Sequence, residues 1–584
     1  MRVYELNEFF NLTPPGILLS EDSASPLHME RGDGNPNCWN VDGARLQYAD
    51  SHNSLLSLKN SEMKNIIRYS VILAMIIMAS CKKSFTERAA LDSTTLDNYY
   101  NTADQVRGLT STLYGLPWSG FENRAMDAIG DVMAGNEYTG GSDDPPFMNF
   151  SFAATSVRIA DAWKVFYKIG GWTSEYMNAL EVKKAKGGNP AFIDPAIAEC
   201  HFFKGTVYFY ITRIWGDAPI VNDPGGTILS GNFNIPRYLK DDVLRFALEE
   251  LQKAEAGLPE TDPVPGRVTK YSAKGMMAKL YLYKKDYANA KAKALEVINS
   301  GKFDLFANYG AMFNSSSNNN NIESLFSIQH QLTGNPWGSG NQKNPDRGPS
   351  NLQTAEANMW ELYIPSMDVL TAYEPGDKRR KGSIMEQGWS YPSWKPQNNN
   401  PTYNAFMANG YKYDTLQPVG NGGQKNTTHS NIAKYVVGPG SSYGGEAVLG
   451  MNSGINTIIL RYADILLIYA EAVLGTSAST SDASALQAFN KVRTRAGLLP
   501  KTSITPDDVF KERRVEFAFE GDFWFDVQRQ GFTKAKQIIL AQNRGTYTYP
   551  SYVTVFTQSM MYLPIPAGEI LQDPALADPP VPYY

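Results

Sequence analysis

Apolar residues recur with a helical period in two blocks of the chain, residues 94–300 and 455–540. Within the first block, Pro195–Ile214 is apolar on nearly every face and stops at Gly216, which predicts a buried helix. Asp241–Ala256 is apolar along one stripe and also ends at a glycine, which is typical of a helix at the edge of a core. The pattern therefore predicts a mainly α-helical scaffold.

Lys270–Ser300 carries a pattern that is similar to a tetratricopeptide repeat. Ala278, Ala290 and Ala294 fall where that template needs small residues, because two antiparallel helices approach closely there. Tyr281 falls at an aromatic position that fills the groove between them. The segment predicts a helical hairpin of tetratricopeptide type, and a generic helical hairpin is the alternative.

The second block predicts another hairpin, with Ile458–Leu474 as its first helix and Asp482–Ala496 as its second. A further helix is predicted over Asp507–Glu520, because acidic residues at its start suit the positive end of a helix dipole. Gly521 ends it.

Between the blocks, residues 306–455 form a variable segment with long low-complexity stretches such as Asn314–Asn321. Alternation over Glu323–Gln331 predicts a short strand. Disorder is the simplest reading of such sequence, but the segment holds many rings: Trp337, Trp360, Trp389, Tyr391, Trp394, Tyr403, Tyr411 and Tyr413. We therefore expect an irregular, loop-rich region with a few short strands that faces the ligand.

Residues 63–80 predict a lipoprotein signal peptide, because two basic residues precede an apolar run too short to span a bilayer. The run ends in two small residues and Cys81, the expected site of lipid attachment. A buried helix with a chance cysteine is the alternative. On the first reading, residues 1–62 are a misassigned and disordered N-terminal extension, and residues 81–584 form a single domain.

Composition excludes several classes of function. The chain has 54 basic and 59 acidic residues and no basic run, so nucleic acid is not an expected partner. Its five histidines lack metal-ligand spacing, and neither a nucleophile elbow nor a phosphate loop is present, so we predict no metal and no cofactor. Glycoside hydrolase activity is not excluded, because the two catalytic carboxylates of such enzymes are recognised by their separation in space and not by their spacing in the sequence. Cys200 is expected to be a small core residue.

Charged residues concentrate in Lys511–Asp526, where Glu512, Glu516 and Glu520 recur every four residues. One interpretation is a catalytic or ion site. We favour a paired network that ties this helix to its neighbours, because buried unpaired charges are costly.

Several motifs together resemble the SusD/RagB family, in an order and spacing that cover nearly all of residues 81–584. They are Phe202–Pro219, Leu460–Ala472, Asn490–Leu498, Glu512–Gly521 and Leu563–Pro566. The sequence departs from the family pattern where Phe523 replaces a usual arginine, Val527 a leucine and Gln530 a tryptophan. These are scaffold positions, so the departures affect local packing.

The resemblance implies a tetratricopeptide-like scaffold anchored by lipid to the outer membrane of a Bacteroidetes-type bacterium and exposed at the cell surface. It also implies a protein without enzymatic activity that binds a nutrient, most often an oligosaccharide. Its partner would be a SusC-like TonB-dependent transporter that imports the ligand. A surface glycoside hydrolase and a peptide- or protein-binding surface lipoprotein are the alternatives.

Sugars present C–H faces flanked by hydroxyl groups, so a sugar site needs exposed rings beside short polar side chains. Two groups of residues meet that description by position and chemistry, with core packing as the alternative for each ring. They are Asp131, Asn136 and Tyr138 after an early helix, and Trp337, Trp389, Tyr391 and Trp394 in the variable segment. The identity of the glycan and a supporting calcium ion are left open by the sequence.

Overall fold

The computed structural model describes residues 99–141, 143–332, 340–350, 352, 359–391, 401, 404–405, 408–413, 428–437, 448–449, 451–545 and 552–584. Tyr100–Tyr584 form one compact unit. The predictions for the leader and for Cys81 fall outside the described residues.

Helices dominate the described residues, as the sequence predicts. In chain order they are α1 Ala103–Ser111, α2 Ser119–Glu122, α3 Ala125–Asp127, α4 Pro145–Met148, α5 Val157–Ala185, α6 Pro190–Trp215, α7 Pro224–Ser230, α8 Lys240–Gly257, α9 Lys270–Tyr283, α10 Tyr287–Asn299, α11 Lys343–Arg347, α12 Met367–Leu370, α13 Arg379–Ser383, α14 Tyr462–Leu474, α15 Ala483–Arg495, α16 Pro506–Glu516, α17 Phe523–Gln528, α18 Phe532–Ala541 and α19 Ala567–Gln572. A π-helical turn, Ala128–Val132, continues α3.

The strands are short and pair in twos. They are β1 Glu137–Thr139, β2 Ser324–Ile328, β3 Tyr363–Pro365, β4 Ile384–Glu386, β5 Ser390–Tyr391, β6 Tyr411–Lys412, β7 Ser430–Ile432, β8 Val448–Leu449, β9 Asn452–Ser453 and β10 Thr457–Arg461. Antiparallel pairs join β1 to β3, β2 to β10, β4 to β7, β5 to β6 and β8 to β9.

The scaffold is a series of helices in which each packs on the next, in the order α5, α6, α8, α9, α10, α14 and α15. Helix α6 is enclosed along most of its length. It approaches α8 closely at Gly205, where a Cβ atom would lie 2.8 Å from the carbonyl oxygen of Ala247. Stacked neighbouring helices of this kind are the arrangement of tetratricopeptide-like folds, so the predicted fold class is confirmed.

The hairpin expected in Lys270–Ser300 is formed by α9 and α10. Ala278, Ala290 and Ala294 are fully buried, and α10 packs in turn on α14. Cys200 is also fully buried in the main core, as expected.

Two helix boundaries in the second block were predicted wrongly. Thr457–Arg461 is a strand paired with β2, and the helix begins only at Tyr462. The two isoleucines before Leu460 are β-branched, and pairing with β2 satisfies their backbone groups. Helix α16 ends at Glu516 and not at Glu520. Phe517 already leaves helical geometry with a φ of −105° and a ψ of 12°, and Phe519 has a φ of 67°, which an α-helix does not continue.

The asparagine run at 318–321 is ordered. Its side-chain amides donate to the carbonyl oxygens of Ala311 at 2.8 Å and Gly454 at 2.8 Å, and Asn320 exchanges two hydrogen bonds with Gln329. The run therefore fastens the β2–β10 pair to its surroundings. Within the described ranges, no helix is both long and apolar enough to cross a membrane.

Candidate functional site

The variable segment has a hydrophobic cluster of its own, separate from the main core. Its buried members include Met359, Met385, Tyr411, Tyr413 and Tyr435, and Tyr391 packs against them. A loop-rich segment with an apolar interior can hold exposed side chains at fixed positions. The described part of this segment is therefore the place to look for a binding face.

The structure places Asp131 and Asn136 in the interior, with no exposed surface. Asp131 accepts hydrogen bonds from Asn136 Nδ2 at 2.8 Å and from the Gly521 amide at 2.6 Å. Asn136 Oδ1 accepts from Arg514 Nε at 2.9 Å. Burial raises the pKa of Asp131 to about 6, against the opposing effect of these hydrogen bonds. Both residues join the early helices to the turn after α16, so we leave them out of the proposed ligand face.

The other predicted site residues are distributed differently. Tyr138 is enclosed in β1, where it pairs with Ile364 of β3. Trp389 and Tyr391 lie half-buried at the β5–β6 hairpin, beside the second cluster. Trp337 and Trp394 lie outside the described residues.

Trp360, which the sequence analysis counts among the rings of the variable segment but not among the site candidates, lies at a well-defined site. The Cζ atom of Arg124 lies 5.4 Å from the centroid of the Trp360 ring. Asp346 holds that guanidinium through both carboxylate oxygens, with Arg124 Nε at 3.1 Å and Nη2 at 3.0 Å. The side chain of Arg124 is 27% exposed and that of Asp346 only 3%. One face of a half-buried ring therefore carries a fixed cation.

Backbone conformation fixes both sides of this site. Arg124 precedes α3 with a φ of 71°, and Glu361, next to Trp360, has a φ of 50°. Non-glycine residues in this region are uncommon and cluster at functional sites. The amide of Trp360 donates to the Pro345 carbonyl at 2.7 Å, and that of Leu362 to the Asp346 carbonyl at 2.7 Å.

Glu361 and Tyr413 connect Trp360 to the hairpin that carries Trp389. Glu361 accepts from Ser350 Oγ at 3.0 Å. Burial raises the pKa of Tyr413, and the negative charge of Glu361 raises it further. The backbone amide of Tyr413 donates to the Trp389 carbonyl at 2.8 Å. We name these three half-buried rings, Trp360, Trp389 and Tyr391, the aromatic face and treat them as the candidate binding surface.

A second set of charges lies beneath β1. Asp127 Oδ1 accepts from Lys343 Nζ and Arg347 Nη2, both at 2.8 Å, and Glu137 Oε1 accepts from Arg347 Nη2 at 3.1 Å. The second carboxylate oxygens of Asp127 and Glu137 have no hydrogen-bond partner among the described residues. Burial raises the pKa of Glu137 well above its usual value, and the negative charges of Asp127 and Asp131 act in the same direction. The positive charge of Arg347 lowers this pKa but does not outweigh them.

The charged residues of α16 and of the turn that follows it form the paired network that the sequence predicts. Glu516 is fully buried and accepts from Arg379 Nη1 at 2.9 Å, from Arg461 Nη1 at 2.5 Å and from Arg495. Glu520 accepts from Lys434 Nζ at 2.7 Å. These carboxylates are enclosed and fully engaged by cations, so the network interpretation is confirmed.

Across the described ranges, no cluster of three or more His, Cys, Asp or Glu residues is arranged to hold a metal ion. The aromatic face offers stacking surface and the N–H donors of one guanidinium, which is the chemistry of binding a polyhydroxylated ligand. Sequence reasoning missed Arg124 and Asp346, because the two residues are 222 positions apart and neither belongs to a motif.

Comparison with known proteins gives consistent findings. The model of the SusD family matches residues 306–584. A SusD-like protein of Bacteroides ovatus is 30% identical over 554 residues, covering 87% of this chain and 96% of the relative. A solved structure with xylogluco-oligosaccharide is similar with a TM-score of 0.72 at 31% identity, over 82% of this chain and 99% of the other. A laminarin-binding SusD-like protein shares the fold, with a TM-score of 0.62 at 21% identity, over 83% of this chain and all of the other.

Proposed function

Because the chain belongs to the SusD family, we propose that it captures an oligosaccharide at the cell surface and delivers it to a SusC-like TonB-dependent outer-membrane transporter. It works as a binding protein and catalyses no reaction. It is attached to the outer membrane through lipid on Cys81. The similar structure with xylogluco-oligosaccharide supports an oligosaccharide as the ligand.

One observation supports the aromatic face as the place of binding. Arg124 covers one face of Trp360 and is itself held by a buried carboxylate. A ligand ring can therefore stack only on the opposite face of Trp360, and it meets a surface whose orientation is fixed before binding. Such preorganisation lowers the entropic cost of association. Trp389 and Tyr391 extend the stacking surface along the chain of a longer oligosaccharide.

Calorimetric titration with xylogluco-oligosaccharides and laminari-oligosaccharides tests the binding function. Trp360→Ala should weaken binding by about 2 kcal/mol, roughly thirtyfold, as expected for a central aromatic contact. Trp389→Ala should have a smaller effect in the same direction. Trp172→Ala is the matched control, because that ring is also half-buried but lies on α5, against Tyr176.

Three results would contradict parts of this proposal. Unchanged affinity in a Trp360→Ala/Trp389→Ala double variant would remove the aromatic face as the site. Release of shortened products by the purified protein would favour the hydrolase alternative, and binding to peptides but to no oligosaccharide would favour the peptide-binding one.

Attachment and delivery need separate experiments. Radioactive palmitate should label the wild-type protein in cells, and Cys81→Ser should abolish the label. Deletion of the gene should slow uptake of the bound oligosaccharide, and the protein should co-purify with a TonB-dependent barrel in mild detergent. Normal uptake in the deletion strain would contradict delivery even if binding is confirmed.

A further inference from the structure

We propose that Asp346 makes the site at Trp360 selective for neutral over anionic glycans, by neutralising the guanidinium that the ligand meets. The inference rests on the proposed function and names the substrate class for the same site. Asp346 is a positioning residue in this scheme, because it acts on the ligand through Arg124.

The geometry divides the guanidinium into two sides. Asp346 takes Nε and Nη2, so the carboxylate lies against one edge of the guanidinium plane. The Nη1 group has no hydrogen-bond partner among the described residues, and 27% of the Arg124 side chain is exposed. Nη1 can therefore donate to a hydroxyl oxygen of a neighbouring sugar unit that extends past the edge of Trp360, while the positive charge is already compensated.

The charges around Arg124 leave no excess of positive charge. The neighbouring cation, Arg158, is paired with Asp144 at 2.6 Å and lies 3.7 Å from Asp143. Tyr363 also donates to Asp144, at 2.6 Å. Lys343 and Asp127, which also act on Asp346, add one charge of each sign, so three cations face four carboxylates in the described surroundings. A uronic acid placed on Trp360 would lose hydration without gaining an uncompensated cation, whereas a neutral sugar loses little.

Changing either partner should alter this balance in a defined direction. Asp346→Asn keeps the shape of the side chain and an acceptor oxygen but leaves Arg124 with its full charge. Arg124→Gln leaves the Asp346 carboxylate uncompensated near the ligand. The first variant should favour anionic glycans, and the second should disfavour them.

The experiment measures binding of xylogluco-oligosaccharides and laminarihexaose, each before and after oxidation of its primary hydroxyl groups to carboxylates, at pH 8 and low salt. The quantity compared is the ratio of neutral to oxidised affinity for each pair. We expect Asp346→Asn to lower this ratio about tenfold and Arg124→Gln to raise it, because one uncompensated charge attracts or repels a carboxylate at low ionic strength. The Arg124→Gln/Asp346→Asn double variant should return to the wild-type ratio, since the site is again neutral.

The outcomes separate the two proposals. If wild type binds a neutral oligosaccharide but the ratio is the same in all three variants, selectivity through Asp346 is refuted while glycan binding stands. If wild type binds neither form of any probe, the proposed function itself fails. If thermal unfolding shows that Asp346→Asn does not fold, Arg124→Gln alone tests the proposal. A rise in its ratio of neutral to oxidised affinity supports selectivity through this ion pair, and an unchanged ratio refutes it.

Discussion

Glu516→Gln is expected to lower the stability of the whole protein strongly, because this carboxylate joins four elements. It sits at the end of α16 and accepts hydrogen bonds from arginines in α13, β10 and α15. The arginines that would remain after the change, Arg379, Arg461 and Arg495, are at most 5% exposed. Water therefore cannot replace the lost charge.

The magnitude follows from this geometry. Removing one partner of a buried ion pair costs about 3 to 5 kcal/mol, since the other partner is left uncompensated. The neighbouring carboxylates Glu323, Glu512 and Glu520 still face the arginines, so we expect about 4 kcal/mol and not a larger value. Urea unfolding followed by far-ultraviolet circular dichroism measures the difference. Asp507→Asn is the control on the same helix, because Asp507 is 67% exposed and its pair with Lys534 should contribute less than about 0.5 kcal/mol.

The pH dependence has a definite sign. Burial alone would raise the pKa of Glu516, but Arg495, Arg461 and Arg379 outweigh it and hold the pKa well below its usual value. The stabilisation from Glu516 is therefore complete above the unfolded pKa of about 4.5 and is lost as the pH falls below that value. The difference between wild type and Glu516→Gln should be constant from pH 8 to about pH 5 and should shrink in more acidic buffer. A loss below 1 kcal/mol at pH 7 would refute the reasoning.

Three further changes test other parts of the interior. Gly130→Ala should destabilise the protein by about 3 kcal/mol in urea unfolding, because the new Cβ would lie 2.1 Å from the Gly521 carbonyl oxygen. Gly171→Ala is the control: its Cβ would have nothing within 4 Å, so the change should be neutral or stabilise by up to about 1 kcal/mol. Equal effects of the two changes would contradict the packing argument. Glu137→Gln should gain stability relative to wild type as the pH rises from about 5 to 8. The raised pKa of Glu137 makes the folded wild-type protein hold a proton that the unfolded chain has already released, so wild type loses stability over this range. Parallel plots of unfolding free energy against pH for the two proteins would show that Glu137 is ionised in the folded protein. Arg544→Met should cost about 2 to 4 kcal/mol, because the buried guanidinium donates to backbone carbonyl groups, including that of Met133 at 2.8 Å, and these groups would lose a donor. A Tm within one degree of wild type would count against it.

Helical periodicity was sufficient to predict the scaffold. Helix α6 and the α9–α10 hairpin follow from patterns that a single sequence displays: a long apolar run that ends at a glycine for α6, and small residues at repeat positions for the hairpin. The strand Thr457–Arg461 was missed because its apolar residues run directly into those of α14. Periodicity cannot separate a short buried strand from the first turn of a buried helix, and only pairing with β2 decides between them.

The asparagine run shows a different limit. Composition alone favours disorder for residues 314–321, and the structure has them ordered. Each amide finds a partner supplied by a distant segment, such as Gly454 or Gln329. Short polar side chains suit both flexible loops and dense hydrogen-bond networks, so the partners and not the run itself determine the outcome.

The candidate site was the least predictable part of the structure, because it too depends on contacts between segments that are far apart in the sequence. Asp131 and Asn136 have the right chemistry for a sugar but are enclosed by the turn after α16, which no local pattern reveals. Arg124 and Asp346 become a site only when α3 and α11 meet in the fold.

The buried ion network gives the aromatic face its rigid support. Arg379 belongs to the variable segment, yet its guanidinium donates to Glu512 at 2.6 Å and to Glu516 at 2.9 Å on the scaffold. Arg379 begins α13, and the strand β4 follows that helix directly and leads to Trp389. A loop-rich layer fastened in this way can change its exposed side chains without changing its position, because the charges that hold it lie beneath the surface. On the binding site that we propose, ligand selectivity would depend on a few surface residues such as Arg124, whereas stability would depend on the network around Glu516.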